Sequence, residues 1–303
     1  MKRLIVLALL LLALVSCKNE GVDDSKPNVV ATTTMISDLA RQIGKDSIDV
    51  QGLMGSGVDP HLYKASEGDV SKLFNADLIL YNGLHLEGKM GEVFEKMQAQ
   101  NIKTVALAET LDPLVLLESE YFASNYDPHV WFNITYWRRI ATVLKDELVA
   151  LDPESKAYYE ANYAAYIEDL NNLKDVVEQI ISSLPEEKRY LVTAHDAFNY
   201  FGQAYGFEVV GLQGLSTATE AGVQDVQRLA DFIIEKQIKA IFVESSVPQR
   251  TIEALQAAVR AKDFEVVIGG TLYSDALGSA GTDEGEYIGM FLSNVNTIVK
   301  GLK

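Results

Sequence analysis

The sequence predicts an α/β protein in which two units with mainly parallel sheets are joined by one long helix. Short apolar runs rich in β-branched residues alternate with segments of helical spacing, first in the N-terminal half and again in the C-terminal half. A stretch with one continuous apolar stripe separates the two alternating regions. The chain has 303 residues, of which 48% are hydrophobic, so it is long enough for two α/β units.

In each region the alternation of strands with helices indicates a parallel sheet covered by helices. The predicted strands of the first region are 29–34, 77–82 and 103–108, with helical spacing at 35–44 and 87–98. Those of the second region are 189–194, 207–212, 239–244 and 264–269, with helical spacing at 222–236 and 249–262. We therefore expect an N-terminal α/β lobe over 28–152 and a C-terminal α/β lobe over 187–303.

Residues 153–186 are predicted to form the long helix that connects the lobes. Its apolar side chains are spaced alternately four and three residues apart, which places them on one helix face. They are Tyr159, Tyr163, Tyr166, Leu170, Leu173, Val177 and Ile180. Asp152-Pro153 precedes the stripe and Pro185 follows it, as is typical of helix ends. A coiled-coil partner is the alternative, but a stripe between two α/β units more often packs against those units.

The N-terminus has the features of a bacterial lipoprotein signal. Two basic residues precede an apolar run over 4–15, which is shorter than the roughly 20 residues of a membrane-spanning helix. The sequence "LVSC" that follows resembles a lipobox, in which the cysteine carries the lipid. We expect a signal peptide over 1–16, lipidation at Cys17 and a polar tether over 17–27. An ordinary secretory signal followed by a free thiol is the alternative.

The net charge argues against a nucleic-acid partner, and the cysteine count excludes a disulfide within the chain. The formal net charge of −17 argues against a nucleic-acid partner, because binding nucleic acid requires clustered Lys and Arg. Cys17 is the one cysteine of the chain, so no disulfide forms within it.

Four residues are candidates for one shared site. In doubly wound α/β units, ligands bind beyond the carboxyl ends of the strands. His195 directly follows a predicted strand, and Asp275 lies in the loop "GTLYSDALG" after another. His61 and His129 each end an Asp-Pro-His triplet, in "GVDPHLY" and in "YDPHVWF". Imidazole and carboxylate are ordinary ligands of Zn²⁺, and carboxylate also suits Mn²⁺. Four protein ligands close a tetrahedral site, which favours holding a metal over using it in a reaction.

Two further residues are candidates for the surroundings of such a site. His85, in "NGLHLE", follows a predicted strand and is interpreted as packing or hydrogen-bonding near the metal, with a ligand role as the alternative. Glu244 ends the predicted strand 239–244 and is a hypothesis for a carboxylate that supports a ligand histidine from behind. A helix cap or a solvated carboxylate is also compatible with its position.

Eight motifs in order over about 28–303 resemble the TroA-like, or cluster A-I, solute-binding lipoproteins of bacterial ABC importers for zinc and manganese. The motifs are "GVDPHLY", "NGLHLE", "YDPHVWF", "LVTAHDAFNYF", "GLQGLSTATEAG", "AIFVESS", "LYSDALG" and "GEYIGMFLSNVNTIVKGL". The lipobox agrees with this resemblance independently.

The resemblance implies two Rossmann-like lobes joined by one long rigid helix, with one metal ion buried between them. It implies His61, His129, His195 and Asp275 as ligands, and it leaves His85 outside the ligand set. It also implies a protein that is not an enzyme. Such a protein is a monomer, lipid-anchored outside the cytoplasm, and it delivers Zn²⁺ or Mn²⁺ to an ABC permease and its ATPase in the cytoplasmic membrane.

The identity of the metal rests on the ligand set. Manganese-favouring members of the resembled family often carry glutamate at the position of His195, and three imidazoles with one carboxylate favour zinc. Two absences argue against strict specialisation for zinc. Residues 113–126 contain no histidine-rich loop of the kind seen in zinc-dedicated members, and no second-lobe disulfide is possible. The balance of these observations favours zinc.

Two other functions remain as alternatives. A zinc-dependent hydrolase needs an open coordination position and a general base, for which Asp196 or Glu244 is available, but the sequence has no HExxH or G-x-S-x-G motif. A surface adhesin is compatible with the lipid anchor.

Overall fold

The computed structural model describes residues 26–119 and 122–303. The predicted signal peptide, Cys17 and most of the predicted tether lie outside the described residues. Among the described helices, none combines the length and the apolar character needed to cross a membrane.

The first lobe contains a four-stranded parallel sheet. Its strands are β1 (Asn28–Ala31), β2 (Asp49–Gly52), β3 (Leu78–Tyr81) and β4 (Lys103–Ala106), in the order β2-β1-β3-β4. The helices that connect them are α1 (Thr34–Gly44), α2 (Glu67–Phe74) and α3 (Gly91–Ala99). The central strands β1 and β3 are almost entirely buried, which explains their continuous apolar sequences.

Two long helices follow the first sheet. Helix α4 spans Ile134–Leu151, and helix α5 spans Lys156–Ser182, 27 residues in all. A short 3₁₀ turn, Pro153–Ser155, separates them. Most of the predicted stripe on α5 is buried, but the last buried position is Ile181, while Ile180 is only partly covered. The stripe drifts in this way because 3.6 residues per turn does not match a strict alternation of four and three.

The second lobe repeats the strand arrangement of the first. Its strands β5 (Tyr190–His195), β6 (Glu208–Gln213), β7 (Ala240–Glu244) and β8 (Val267–Leu272) form the parallel pairs β5-β6 and β7-β8. Strand β5 packs beside β7, so the spatial order is β6-β5-β7-β8. The remaining helices are α6 (Asn199–Tyr205), α7 (Val223–Glu235), α8 (Arg250–Arg260) and α9 (Tyr287–Leu302).

Strand β8 begins three residues later than predicted, and it continues through Gly270, although glycine is disfavoured inside strands. A Cβ at Gly269 would lie 2.7 Å from the ring of Phe242, and one at Gly270 would lie 2.5 Å from the side chain of Thr297. The glycines therefore let β7 and α9 pack closely against β8. Tertiary packing here outweighs local propensity.

One apolar cluster extends through both lobes. Helix α5 packs along α1, α4 and α9, so it is a packed part of the core and does not bridge open solvent. The structure thus consists of two α/β lobes whose connecting helices share one core. Such a shared core opposes large rotations of one lobe against the other.

The start of helix α9 is held by the first lobe. The backbone N–H of Tyr287 donates to Asp38 of α1 at 2.9 Å, and the Tyr287 hydroxyl donates to the carbonyl of Trp131 at 2.6 Å. Burial raises the pKa of Asp38 to about 6. The first N–H groups of a helix have no partner within that helix, and the Asp38 carboxylate of the first lobe accepts one of them, the N–H of Tyr287 in α9.

Candidate metal centre

The four predicted ligand residues come from loops at the carboxyl ends of the sheets. His195 is the last residue of β5, and Asp275 lies three residues beyond β8. His61 lies in the loop between β2 and α2, and His129 lies in the loop that leads from β4 to α4. Because parallel strands end at the same edge, each lobe presents two of these residues to the cleft between the lobes.

The side chains of His61, His129, His195 and Asp275 form one compact cluster. One ligand atom from each lies within 4.8 Å of all the others. The carboxylate of Asp275 is 3.2 Å from Nε2 of His195, 3.6 Å from Nε2 of His129 and 3.9 Å from Nε2 of His61. The three ring centroids are 5.3 to 5.8 Å apart. This arrangement is suited to one metal ion.

The cluster is closed to solvent, and its inward-facing atoms have no hydrogen-bond partner among the described residues. His129 and His195 are 0% exposed, Asp275 is 1% exposed and His61 is 3% exposed. The unpartnered atoms are Nε2 of each histidine and Oδ1 of Asp275. Burying a polar group without a partner costs roughly 1–3 kcal/mol. A cation bound by these four atoms would offset that cost.

The electrostatics of the cluster favour a cation. Burial lowers the pKa of His61 to about 3, although Asp275 lies beside it. Burial also opposes charge on His195, but the Asp275 and Glu244 carboxylates raise the pKa of His195 well above its ordinary value. Burial alone would raise the pKa of Asp275, but the neighbouring histidines lower it. The two carboxylates therefore favour a proton on His195 in the metal-free site, and a metal ion competes with that proton.

Glu244 orients His195. Its Oε1 accepts the backbone N–H of His195 at 2.8 Å, and its Oε2 lies 2.5 Å from Nδ1 of the same ring. Since Nδ1 faces Glu244, Nε2 is turned towards the cluster. This geometry matches a carboxylate that holds a ligand histidine from behind.

Asp127 has the same relation to His129, and the sequence analysis did not assign it this role. Its Oδ1 accepts the backbone N–H of His129 at 2.9 Å and lies 2.7 Å from Nδ1 of the ring. The signal was present in the repeated triplet, because an Asp side chain readily accepts the N–H two residues along the chain. Trp131 covers the same histidine, with ring centroids 5.3 Å apart.

His85 and Asp196 lie outside the cluster. His85 is exposed, and its ring packs edge-on against Phe122 with centroids 5.9 Å apart. Asp196 turns its carboxylate to the backbone N–H of Gly211 on β6, at 2.5 Å. Neither His85 nor Asp196 therefore belongs to the cluster of four side chains.

Comparison with known proteins places the chain in a family. The family described as "ZnuA: Zinc-uptake complex component A periplasmic" matches residues 29–301. The chain belongs to the ZnuA family. It is 50% identical to the zinc-binding protein TroA of Treponema pallidum over 283 residues, which cover 93% of this chain and 91% of that protein. It is 47% identical to the manganese-binding lipoprotein MntA of Bacillus subtilis, over 96% of this chain and 95% of that protein.

Solved structures of the ZnuA family share the fold. The periplasmic zinc-binding protein TroA from Treponema pallidum superposes with a TM-score of 0.89 at 50% identity, covering 91% of this chain and 99% of that chain. The two-lobed α/β fold with a long connecting helix is thus confirmed. The relatives are named as metal-binding or transporter substrate-binding proteins, and these names give no support to the hydrolase or adhesin alternatives.

Proposed function

We propose that this protein captures one divalent transition-metal ion, Zn²⁺ or Mn²⁺, outside the cytoplasm and delivers it to an ABC permease. The observation that carries the proposal is the closed cluster of four unpartnered ligand atoms between the two lobes. A site that offers four protein ligands and no access to solvent is built to hold an ion. The family relationship to zinc-binding and manganese-binding proteins supports the same function.

In this proposal each of the four residues supplies one ligand atom. His61, His129 and His195 bind the ion through Nε2, and Asp275 binds it through a carboxylate oxygen. The hydrogen-bond geometry supports Glu244 and Asp127 as the carboxylates that fix the orientation of His195 and His129. His85 lies outside the proposed ligand set, and its exposed ring packs against Phe122.

We infer that Zn²⁺ binds more tightly than Mn²⁺. Three imidazoles and one carboxylate in a closed four-ligand set match tetrahedral zinc, whereas manganese is better served by more oxygen ligands. The order of stability of divalent complexes also places zinc above manganese for a given set of ligands.

The proposal includes a lipid anchor and a division of the chain. Residues 1–16 act as a lipoprotein signal peptide, Cys17 carries the lipid, and 17–27 form the tether. The lobes are 28–152 and 187–303, with 153–186 as the connecting segment. The protein acts as a monomer and passes its ion to the permease and ATPase of an importer.

Elemental analysis of the purified full-length protein tests this function. We expect one equivalent of Zn²⁺ or Mn²⁺ per chain, and we expect Zn²⁺ to displace Mn²⁺ in direct competition. His61→Ala should bind neither ion at one equivalent, while the exposed His85→Ala should behave as wild type. A wild-type protein that binds neither ion, or a His61→Ala variant that binds normally, would contradict the proposal.

A further inference from the structure

The aspartate of the first Asp-Pro-His triplet makes two different hydrogen bonds. Oδ1 of Asp59 accepts the backbone N–H of His61 at 2.8 Å, so it fixes the loop that carries this ligand. Oδ2 of Asp59 accepts the hydroxyl of Thr217 at 2.5 Å. Thr217 belongs to the second lobe, in the loop between β6 and α7, and its side chain is buried. The bond therefore crosses the cleft.

The aspartate of the second triplet repeats this division. Oδ1 of Asp127 faces the backbone and ring nitrogens of His129, as described above. Oδ2 of Asp127 accepts the side-chain amide of Asn199 at 3.1 Å. Asn199 is the first residue of α6 and so also belongs to the second lobe. In both triplets, one carboxylate oxygen positions a ligand histidine and the other is held by the opposite lobe.

The ligand His195 is held differently. Both of its contacts with Glu244 lie within the second lobe, because Glu244 ends β7. Separation of the lobes would leave the support of His195 intact. The same movement would break the Asp59–Thr217 and Asp127–Asn199 bonds, and it would free the two triplets that carry His61 and His129.

We propose that Thr217 and Asn199 are positioning residues that latch the lobes closed through Asp59 and Asp127 and thereby slow dissociation of the metal. This inference rests on the proposed metal-binding function and adds its kinetic control. These two hydrogen bonds slow dissociation of the ion, because both must break before the triplets that carry His61 and His129 can move away from the second lobe. They contribute less to capture, because each bond joins residues of opposite lobes and forms only where the two loops meet.

The rate of Zn²⁺ dissociation into an excess of chelator tests the latches on the full-length protein. Thr217→Val removes the hydroxyl with little change of shape, and we expect dissociation to accelerate roughly tenfold, since a hydrogen bond to a charged acceptor is lost. Association should change little. Thr217→Ser keeps the hydroxyl and should restore the wild-type rate. Asn199→Ala should also accelerate dissociation.

Matched controls use the same substitutions elsewhere in the second lobe. Thr219→Val alters an exposed threonine of the same loop, and Asn296→Ala alters an exposed asparagine of α9. In an Asp59→Ala background, Thr217→Val should give no further acceleration, because Thr217 acts through Asp59.

The outcomes separate this inference from the proposed function. The latch proposal is overturned if wild type binds one Zn²⁺ while Thr217→Val and Asn199→Ala release it at the rates of their controls. It is also overturned if the effects of Asp59→Ala and Thr217→Val simply add. If wild type binds no metal, the proposed function and the latches fail together.

Discussion

Each Asp-Pro-His triplet combines a ligand with the group that holds its backbone. Proline fixes its own φ and restricts the preceding residue, so the aspartate can reach the N–H of the histidine two residues along. The two triplets differ in one respect. Oδ1 of Asp127 faces the ring Nδ1 of His129 as well as its backbone N–H, whereas Oδ1 of Asp59 accepts the backbone N–H of His61 and has no bond to its ring. Among the hydrogen bonds of the described residues, a carboxylate of the same lobe holds the rings of His129 and His195, and none holds the ring of His61.

At the residue scale, we predict that Glu244→Gln weakens zinc binding roughly 10- to 100-fold, because it removes the carboxylate that faces Nδ1 of His195. A competition titration against a zinc-binding dye measures the affinity. The matched control is Glu265→Gln, an exposed residue of the same lobe. An affinity of Glu244→Gln equal to that of this control would show that Glu244 does not orient the ligand.

Metal binding is also predicted to release a proton around neutral pH. The Asp275 and Glu244 carboxylates raise the pKa of His195, so they favour a proton on this ring that a metal ion has to displace. The pKa of His61 is lowered to about 3, so this ring is already neutral and does not compete. Affinity should therefore rise with pH up to the pKa of His195. Calorimetry in two buffers of different ionisation enthalpy measures the proton, and a heat independent of buffer would refute the prediction.

The sequence was most informative at this scale. His61, His129, His195 and Asp275 were singled out because they stand in loops directly after strands or in a repeated motif, and the structure brings all four together. Thr217 and Asn199 were not found. Their roles depend on which loops of the two lobes meet across the cleft, and no local pattern in the sequence carries that information.

At the scale of elements, the apolar strands were predicted even where they are short, whereas strand β2 and helix α4 were not. Strand β2 has the sequence "DVQG" at the edge of its sheet and is half-buried throughout, so it lacks both an apolar run and alternation. Helix α4 was not singled out, although Asn133 caps its N-terminus by accepting the N–H of Thr135. Its buried positions are Ile134, Trp137, Ile140, Ala141, Leu144 and Leu148, which follow helical spacing.

Helix α5 is predicted to be stabilised mainly by its buried stripe. Leu170 is fully buried, and Leu170→Ala should lower the free energy of unfolding by about 2–5 kcal/mol through lost burial and a cavity. Val176 lies on the exposed face of the same helix at 43% exposure, so Val176→Ala should change the free energy of unfolding by less than about 1 kcal/mol. Denaturant unfolding of the metal-free proteins measures both. Equal effects of the two substitutions would contradict the packing described for α5.

At the scale of the whole molecule, the shared core and the cleft have different roles. The core joins α1, α4, α5 and α9 and keeps the lobes close together. Hydrogen bonds that cross the cleft near the cluster of four side chains include Asp59–Thr217, Asp127–Asn199 and Trp131–Ser274. Release of the ion therefore requires a limited opening at the cleft, which we expect docking to the permease to provide.

The most direct test of the account is a crystal structure of the zinc-loaded protein with anomalous diffraction recorded at the zinc edge. We predict one peak between the lobes, with three nitrogen ligands and one oxygen ligand at roughly 2.0–2.2 Å, supplied by His61, His129, His195 and Asp275. A peak bound elsewhere, or an ion in the cleft that lacks ligands from one of the lobes, would contradict it.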